Sequence, residues 1–228
     1  MNRYLFGFLS IILILSGCGK ESKVEYVTTT QYIPVSQSEA DDIAAVVQEE
    51  NDYRNTVGQA IVSRGLTCTL YANITGSPAG IPGTPVRPSD GSGTVAGTLP
   101  SSTLSYVLFG NFDSPNESSS VGINILPEAI RSQYTQWYLV RCTGYIVVTE
   151  TAYYSFTLTS DDASLLYLEN ALVVNNNGNH GMDSRSGSRL LRRGVRQFRL
   201  DYMQGPGGGQ GLNLSVNGST LPAEILYR

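Results

Sequence analysis

Two carboxylates stand side by side at Asp161 and Asp162, inside the segment Ser160-Asp161-Asp162-Ala163-Ser164. In a regular strand, neighbouring side chains point to opposite faces. Both can therefore engage one ion only where the backbone between them is irregular. A glycosidase sets its acid and base across a cleft from each other, a spacing that adjacent residues do not supply. The other reading is that the pair caps a turn, since Asp hydrogen-bonds readily to nearby backbone. Further on, Asn175-Asn176-Asn177-Gly178-Asn179-His180 concentrates amide groups that could form a rim for sugar hydroxyls. Asn177 and His180 are its candidate ligand-binding residues. The run equally fits a plain turn, because Asn and Gly tolerate left-handed backbone angles. His180 is the only histidine. A hydrolase triad needs a His held by a carboxylate beside a nucleophile, and only Ser184 and Ser186 lie near it in sequence. No catalytic array is legible, and the chain reads as a non-enzyme.

The elements that must position these residues read as strands. In Tyr154-Ser155-Phe156-Thr157-Leu158-Thr159 the apolar residues alternate, which is the pattern of a half-buried strand. Leu165 to Leu168 is a second strand beyond the Asp pair. Thr67 to Ile74, Leu104 to Phe112 and Ser118 to Leu126 read as further strands. Trp137 to Thr149 reads as a central pair of strands bent at Gly144, with Trp137 in the core. Leu190-Leu191 and Val195 to Tyr202 flank Gly194 as a hairpin. Gly205 to Gly211 is a glycine-rich loop, followed by a strand at Leu212 to Val216 and an Asn217-Gly218 turn. Repeated short strands between turns predict an all-β antiparallel sandwich.

The ordered motifs YYSFTL, SDDAS, LYLENALVVNNNGNHG, LLRRGVRQFRLDY and MQGPGGGQGLNLSV resemble the protective-antigen-type domain, a β-sandwich. With GLTCTLY as its opening strand, the resemblance covers residues 64–228. In the flocculin-type branch of that family the Asp pair carries a cis peptide bond and binds calcium, which in turn holds a sugar's vicinal hydroxyls. The resemblance thus implies a calcium site at Asp161 and Asp162. Its further ligands would be an amide oxygen at Gln204, where the family has Asn, and carbonyls of the loop around Pro206, Gly207 and Gly208. The extra methylene of Gln is a departure that alters reach. Calcium needs six to eight hard oxygen ligands, so two carboxylates are insufficient alone.

The start of the chain reads as an address. Arg3 precedes an apolar run, Leu5 to Leu15, too short to span a bilayer. It ends in Leu15-Ser16-Gly17-Cys18, which resembles the lipobox of bacterial lipoproteins. The resemblance implies a signal peptide over residues 1–17, lipidation of Cys18, and a tether over 18–37. Gly19 after Cys18 favours the outer membrane. From 38 to 63 the period turns helical, with Ile43, Val46, Glu50, Tyr53, Val57 and Ala60 on one stripe. The helix lies on the sandwich, forms a short stalk, or joins chains in an oligomer. Cys68 and Cys142 are an even pair in an oxidising compartment, which favours a disulfide over two free thiols.

The segment at 76–102, dominated by Gly, Pro, Ser and Thr, carries too little apolar surface to offset its ordering entropy. It is expected to be poorly ordered, a loop inserted within one domain. Charged residues are 15% of the chain, Gly numbers 24 and Tyr 14, a profile of extracytoplasmic β proteins rich in turns. The formal net charge of −4 argues against nonspecific nucleic-acid binding. The expected function is glycan binding or adhesion at the cell envelope with calcium. The alternative is a structural or protein-interaction module without a sugar site.

Overall fold

In a computed structural model of the chain, residues 4–10, 28–34, 63–118 and 122–228 are described, together with positions 45, 48, 51, 52 and 55. The chain divides into two units, Met1–Asn51 and Asp52–Arg228. In the first, strands β1 (Tyr4–Ser10) and β2 (Thr28–Pro34) form an antiparallel pair. Cleavage before Cys18, as the sequence leads one to expect, would remove β1 from the mature chain. Ala45, Gln48, Asn51, Asp52 and Asn55 are helical and exposed. The apolar stripe of the expected helix, Cys18 and the rest of the tether lie outside the described residues. No helix among the described residues is long and apolar enough to cross a membrane.

The second unit is a sandwich of two antiparallel sheets. The larger contains β3 (Leu66–Tyr71), β4 (Leu104–Leu108), β6 (Tyr138–Val148), β8 (Ala163–Leu168), β9 (Ala171–Asn176) and β11 (Gly194–Gln204). Their order is β4-β3-β6-β11-β8-β9, and a short β14 (Leu226–Tyr227) adds to β6. The smaller sheet orders β10 (Asp183–Leu191), β7 (Ala152–Asp161), β12 (Gly209–Val216) and β13 (Ser219–Thr220), with β5 (Asp113–Ser118) also along β12. A one-turn helix, α1 (Glu128–Arg131), lies between β5 and β6.

Period-two alternation sets the core. Tyr138, Val140 and Cys142 of β6 and Phe198, Leu200 and Tyr202 of β11 share the main apolar cluster with Phe156, Leu158, Leu212 and Leu214 of the smaller sheet. Phe112 stacks on Phe198 with ring centroids 5.9 Å apart. Cys68 and Cys142 face each other in the β3–β6 register and are joined as a disulfide across 74 positions. The pairing expected from the cysteine count is present.

Five expectations need correction. Leu190-Leu191 and Val195–Tyr202 are not a hairpin: the first ends β10 in the smaller sheet and the second lies in β11 of the larger, so the turn at Gly194 carries the chain between sheets. Within the run Trp137–Thr149, Tyr138–Val148 is one continuous strand rather than a bent pair. Gly144 serves close approach instead: a Cβ there would lie 2.2 Å from the Tyr227 carbonyl oxygen of β14. The strand reads as an unbroken apolar run because the larger sheet is covered on both faces at one end. There Leu139, Leu165 and Met203 meet Ile74 and Ile81 in a second cluster. Trp137, expected in the core, is only half-buried at the margin of this cluster and precedes β6 with φ of +55°. The expected strand at Ser118–Leu126 is displaced: β5 ends at Ser118, and Asn124–Leu126 is a turn closed by the Leu126 N–H to Ile123 O.

The stretch 76–102 is an ordered cover. Ile81 within it is fully buried, worth roughly 1.5–3 kcal/mol for a side chain of that size. Arg87 pairs with both Asp90 and Asp183, at 3.0 and 2.9 Å. Val95 is buried as well, and the Asn177 side chain bonds Ile81, Thr84 and Pro85 from outside the segment, so its anchors come from the rest of the domain and not from its own composition.

Candidate functional site

The Asp pair occupies the corner where the chain leaves one sheet for the other. β7 ends the smaller-sheet run at Asp161, and β8 enters the larger sheet at Ala163, so Asp162 alone makes the crossing. The Asp161–Asp162 peptide bond is cis, as the resemblance implied. Beneath the corner, Ser160 Oγ and Ser164 Oγ are 2.7 Å apart and both residues are fully buried. Asn176 Nδ2 donates to Ser160 Oγ at 2.9 Å and to the Asp183 carbonyl at 3.0 Å, tying β9 and β10 to it.

Above the corner lies a hollow of about 300 Å3, bordered by Asp161, Asp162, Asn179, His180 and the loop Pro206–Gly209. The two carboxylates are in different states. Asp162 is 2% exposed. Its Oδ1 accepts the His180 backbone N–H and its Oδ2 the Gly205 backbone N–H, both at 2.8 Å. Burial still outweighs these bonds and pushes its pKa up to about 6. Asp161 is 9% exposed, and its carboxylate accepts no hydrogen bond among the described residues. Burial raises its pKa as well, while the nearby His180 opposes the rise.

The glycine loop leaves β11 immediately after Gln204, and the structure revises the role expected for that residue. Gln204 is fully buried and does not border the hollow. Its Oε1 receives the Tyr202 hydroxyl at 2.7 Å, and its Nε2 donates to the Gly209 carbonyl at 2.8 Å. Both ends of its amide are therefore spent closing the base of the loop. The Tyr202 hydroxyl shares its proton with the Asp161 carbonyl at 2.6 Å, so the clamp also fixes the corner. Gly207 and Gly208 are exposed and border the hollow. The Gly207 carbonyl accepts from Gln136 Nε2 at 3.1 Å. Gly205 lies tight in the wall: a Cβ there would come 2.7 Å from Asn179 Oδ1 and 3.3 Å from Asp162 Oδ2.

The Asn run also divides differently. Asn177 is buried and contributes nothing to the hollow. Its Oδ1 accepts the Ile81 N–H at 2.8 Å, and its Nδ2 donates to Thr84 Oγ1 at 3.0 Å and the Pro85 carbonyl at 2.8 Å. It is a clamp on the loop, because the chain turns inward where β9 stops at Asn176. Asn179, not singled out from the run, is the exposed amide on the rim. Its Nδ2 donates to the Pro78 carbonyl at 3.0 Å, which leaves Oδ1 toward Gly205. Both ring nitrogens of His180 face carbonyl oxygens, Nδ1 that of Gly181 at 2.8 Å and Nε2 that of Asn176 at 3.2 Å. The ring locks its own turn, and it is the backbone N–H of His180 that serves the site.

A family model for the PA14 domain matches residues 104–225, more than half of the chain. The chain belongs to the PA14 domain family. The solved PA14 domain of MpAFP antifreeze protein is 17% identical over 71% of this chain and 89% of its own, with a TM-score of 0.50. An anti-sigma factor domain-containing protein from Clostridium clariflavum is 20% identical over 72% of this chain, TM-score 0.49. This chain covers 47% of that protein, so it spans about half of its relative's length. A structure described as the PA14 sugar-binding domain from an RTX adhesin is 19% identical over 73% of this chain and 99% of its own, TM-score 0.49. No curated protein matches. The sandwich expected from the strand pattern is thus a PA14-type fold.

Among the described residues, no three His, Cys, Asp or Glu side chains converge. The donor set of the PA14 hollow is two carboxylates and neutral oxygens, from Asn179 and the loop carbonyls. Hard oxygen donors of this kind suit calcium, and the imidazole that borders the hollow, His180, has both ring nitrogens turned to carbonyl oxygens.

Proposed function

We propose that this PA14 domain binds glycans at the bacterial cell envelope through a calcium ion held between the Asp pair and the glycine loop. The observation that carries this reading is Asp161. A carboxylate 9% exposed with no hydrogen-bond donor among the described residues is costly unless a cation faces it. Asp162 is already fixed by two N–H groups and would present its remaining lone pairs to the same ion. Asn179 Oδ1 would replace the amide oxygen that Gln204 withholds, and carbonyls of Pro206 and Gly208, residues that border the hollow, would complete the set. When bound, calcium supplies a positive centre that takes vicinal sugar hydroxyls. The chain's own residues hold the loops in place, with Gln204 and Tyr202 bracing the floor. The proposed setting is a lipid-anchored protein, acylated at Cys18 and held in the outer membrane.

Calorimetric titration of the full chain with calcium, beside Asp161→Asn, tests the site. Saturable binding abolished by Asp161→Asn supports it and justifies a glycan array run with calcium and with EDTA. No heat at millimolar calcium sinks the metal-dependent mechanism. The inward turn of Gln204 favours a second reading, an envelope interaction module without a sugar site. An array that stays blank while calcium binds would favour that module. Palmitate labelling lost in Cys18→Ser tests the anchor.

A further inference from the structure

The larger sheet carries a second concavity on its outer face, and none of its lining residues is shared with the Asp hollow. It measures about 420 Å3, within the roughly 300–1,000 Å3 range of small-ligand sites. Its floor is one row of side chains across four strands, Thr67, Thr143, Arg199 and Tyr167, neighbours in the β3–β6, β6–β11 and β11–β8 registers. Tyr145 and Gln197 form the next row, and Arg228 closes one side. The lining side chains include two guanidinium groups and no carboxylate.

Arg199 is held in place before any ligand arrives. Its guanidinium lies over the Tyr167 ring, 4.5 Å from the centroid. Its Nε donates to Asp201 Oδ1 at 2.9 Å and its Nη2 to Asp201 Oδ2. Asp201 is fully buried and also takes a bidentate pair from Arg141, at 2.8 and 2.9 Å. One carboxylate against two guanidiniums leaves a net positive charge under the groove. A guanidinium has five N–H donors in a planar fork. Asp201 takes two of those of Arg199 side-on, so the Nη1–Nη2 edge stays open for a carboxylate end-on. The same groove is lined by Thr67, Thr143, Gln197 and Tyr145, the last of which is 41% exposed. Hydroxyls and amides hydrogen-bond to sugar hydroxyls, and tyrosine rings cover the apolar face of a sugar.

We propose that this groove is a calcium-independent subsite for a carboxylate-bearing saccharide, with the uronate or sialate carboxylate on Arg199 and Arg228 and a sugar face on Tyr145. The subsite does not depend on the Asp pair. The test is calorimetry of the full chain in EDTA with a galacturonate trisaccharide, beside its methyl ester, which keeps the sugar and removes the charge. The acid binds saturably, the ester at least tenfold more weakly. Tyr145→Ala and Arg228→Gln each weaken the acid at least tenfold, while Asp161→Asn leaves it unchanged. Tyr145 is partly exposed and outside the core, so its variant keeps the fold under the measurement. The proposal is overturned if the acid shows no saturable binding at millimolar concentration, if the ester binds equally, or if Tyr145→Ala and Arg228→Gln bind as wild type.

Discussion

The Asp162 carboxylate accepts the Gly205 backbone N–H at 2.8 Å, a bond that fastens the corner between the two sheets to the glycine loop 43 positions away. With the other oxygen on the His180 N–H, Asp162 gathers all three loops of the hollow. The neighbouring Asp161 carboxylate receives no such bond among the described residues. Two adjacent residues of one type thus differ in their surroundings: one assembles the site, and the other is where we propose that the cation binds.

Asp162 makes stability depend on pH in an unusual direction. Burial raises its folded pKa to about 6 from the ordinary carboxylate value of 3.8. Between these values the folded chain holds a proton that the unfolded chain releases. Without calcium, its contribution therefore favours the folded state at low pH and is lost as pH rises from about 4 through 6. Asp90 and Asp183, whose pKa values are lowered, act oppositely, so the contribution is isolated as wild type minus Asp162→Asn. In EDTA, that difference in Tm should move in favour of the wild type as pH falls from 7 to 5. A difference flat across this range rejects it. Calcium affinity should fall below pH 6, because the cation competes with the proton.

Gln204 and Asn179 should separate a brace from a ligand. Gln204→Ala leaves the half-buried Gly209 carbonyl and the buried Tyr202 hydroxyl without this partner, a loss of about 1–3 kcal/mol in urea unfolding. Asn179 is exposed, and Asn179→Ala should cost under about 0.5 kcal/mol. Calcium affinity should fall at least fivefold in Asn179→Ala. If calcium binds Asn179→Ala as tightly as wild type, Asn179 is no ligand.

Alternation around Phe156 and Leu158 was enough to place the Asp pair at a strand end, because a half-buried strand writes its period into the sequence. Which amide of the Asn run faces the hollow was not legible. That depends on β9 stopping at Asn176, and neighbours of identical type carry no mark of it. Gln204 misled for a related reason: its amide could reach a cation or the Gly209 carbonyl equally well, and only the packed Tyr202 hydroxyl decides. Gly144 looked like a bend because Gly permits one, whereas its cause is β14, distant in sequence. Gly144→Ala, with its Cβ 2.2 Å from the Tyr227 oxygen, should cost about 1–3 kcal/mol as an overpacked contact.

The disulfide gives a prediction that depends on loop length. Closing 74 positions of chain between Cys68 and Cys142 restricts the unfolded state by about 4 kcal/mol in the chain-entropy model. For a domain of this size, that corresponds to roughly 8–16 °C in Tm. Scanning calorimetry with and without reductant, checked against Cys68→Ser/Cys142→Ser, should show a fall in that range. Equal melting temperatures would overturn the chain-entropy reading of this bridge.

Asn177 provides a test of the loop that composition suggested would be poorly ordered. Its side chain makes three hydrogen bonds to Ile81, Thr84 and Pro85, and net values near 1 kcal/mol each are typical. Asn177→Ala should therefore release the cover over the second apolar cluster while leaving the main core intact. Arg87, held in the wild type by Asp90 and Asp183, then becomes an accessible trypsin site. Arg87 is followed by Pro88, which blocks trypsin, so the comparison is made in a Pro88→Ala background. Limited proteolysis followed by mass spectrometry should show cleavage after Arg87 at least tenfold faster in Asn177→Ala/Pro88→Ala than in Pro88→Ala alone. Equal cleavage rates in that matched pair would show that Ile81 and the Arg87 pairs hold the loop without Asn177.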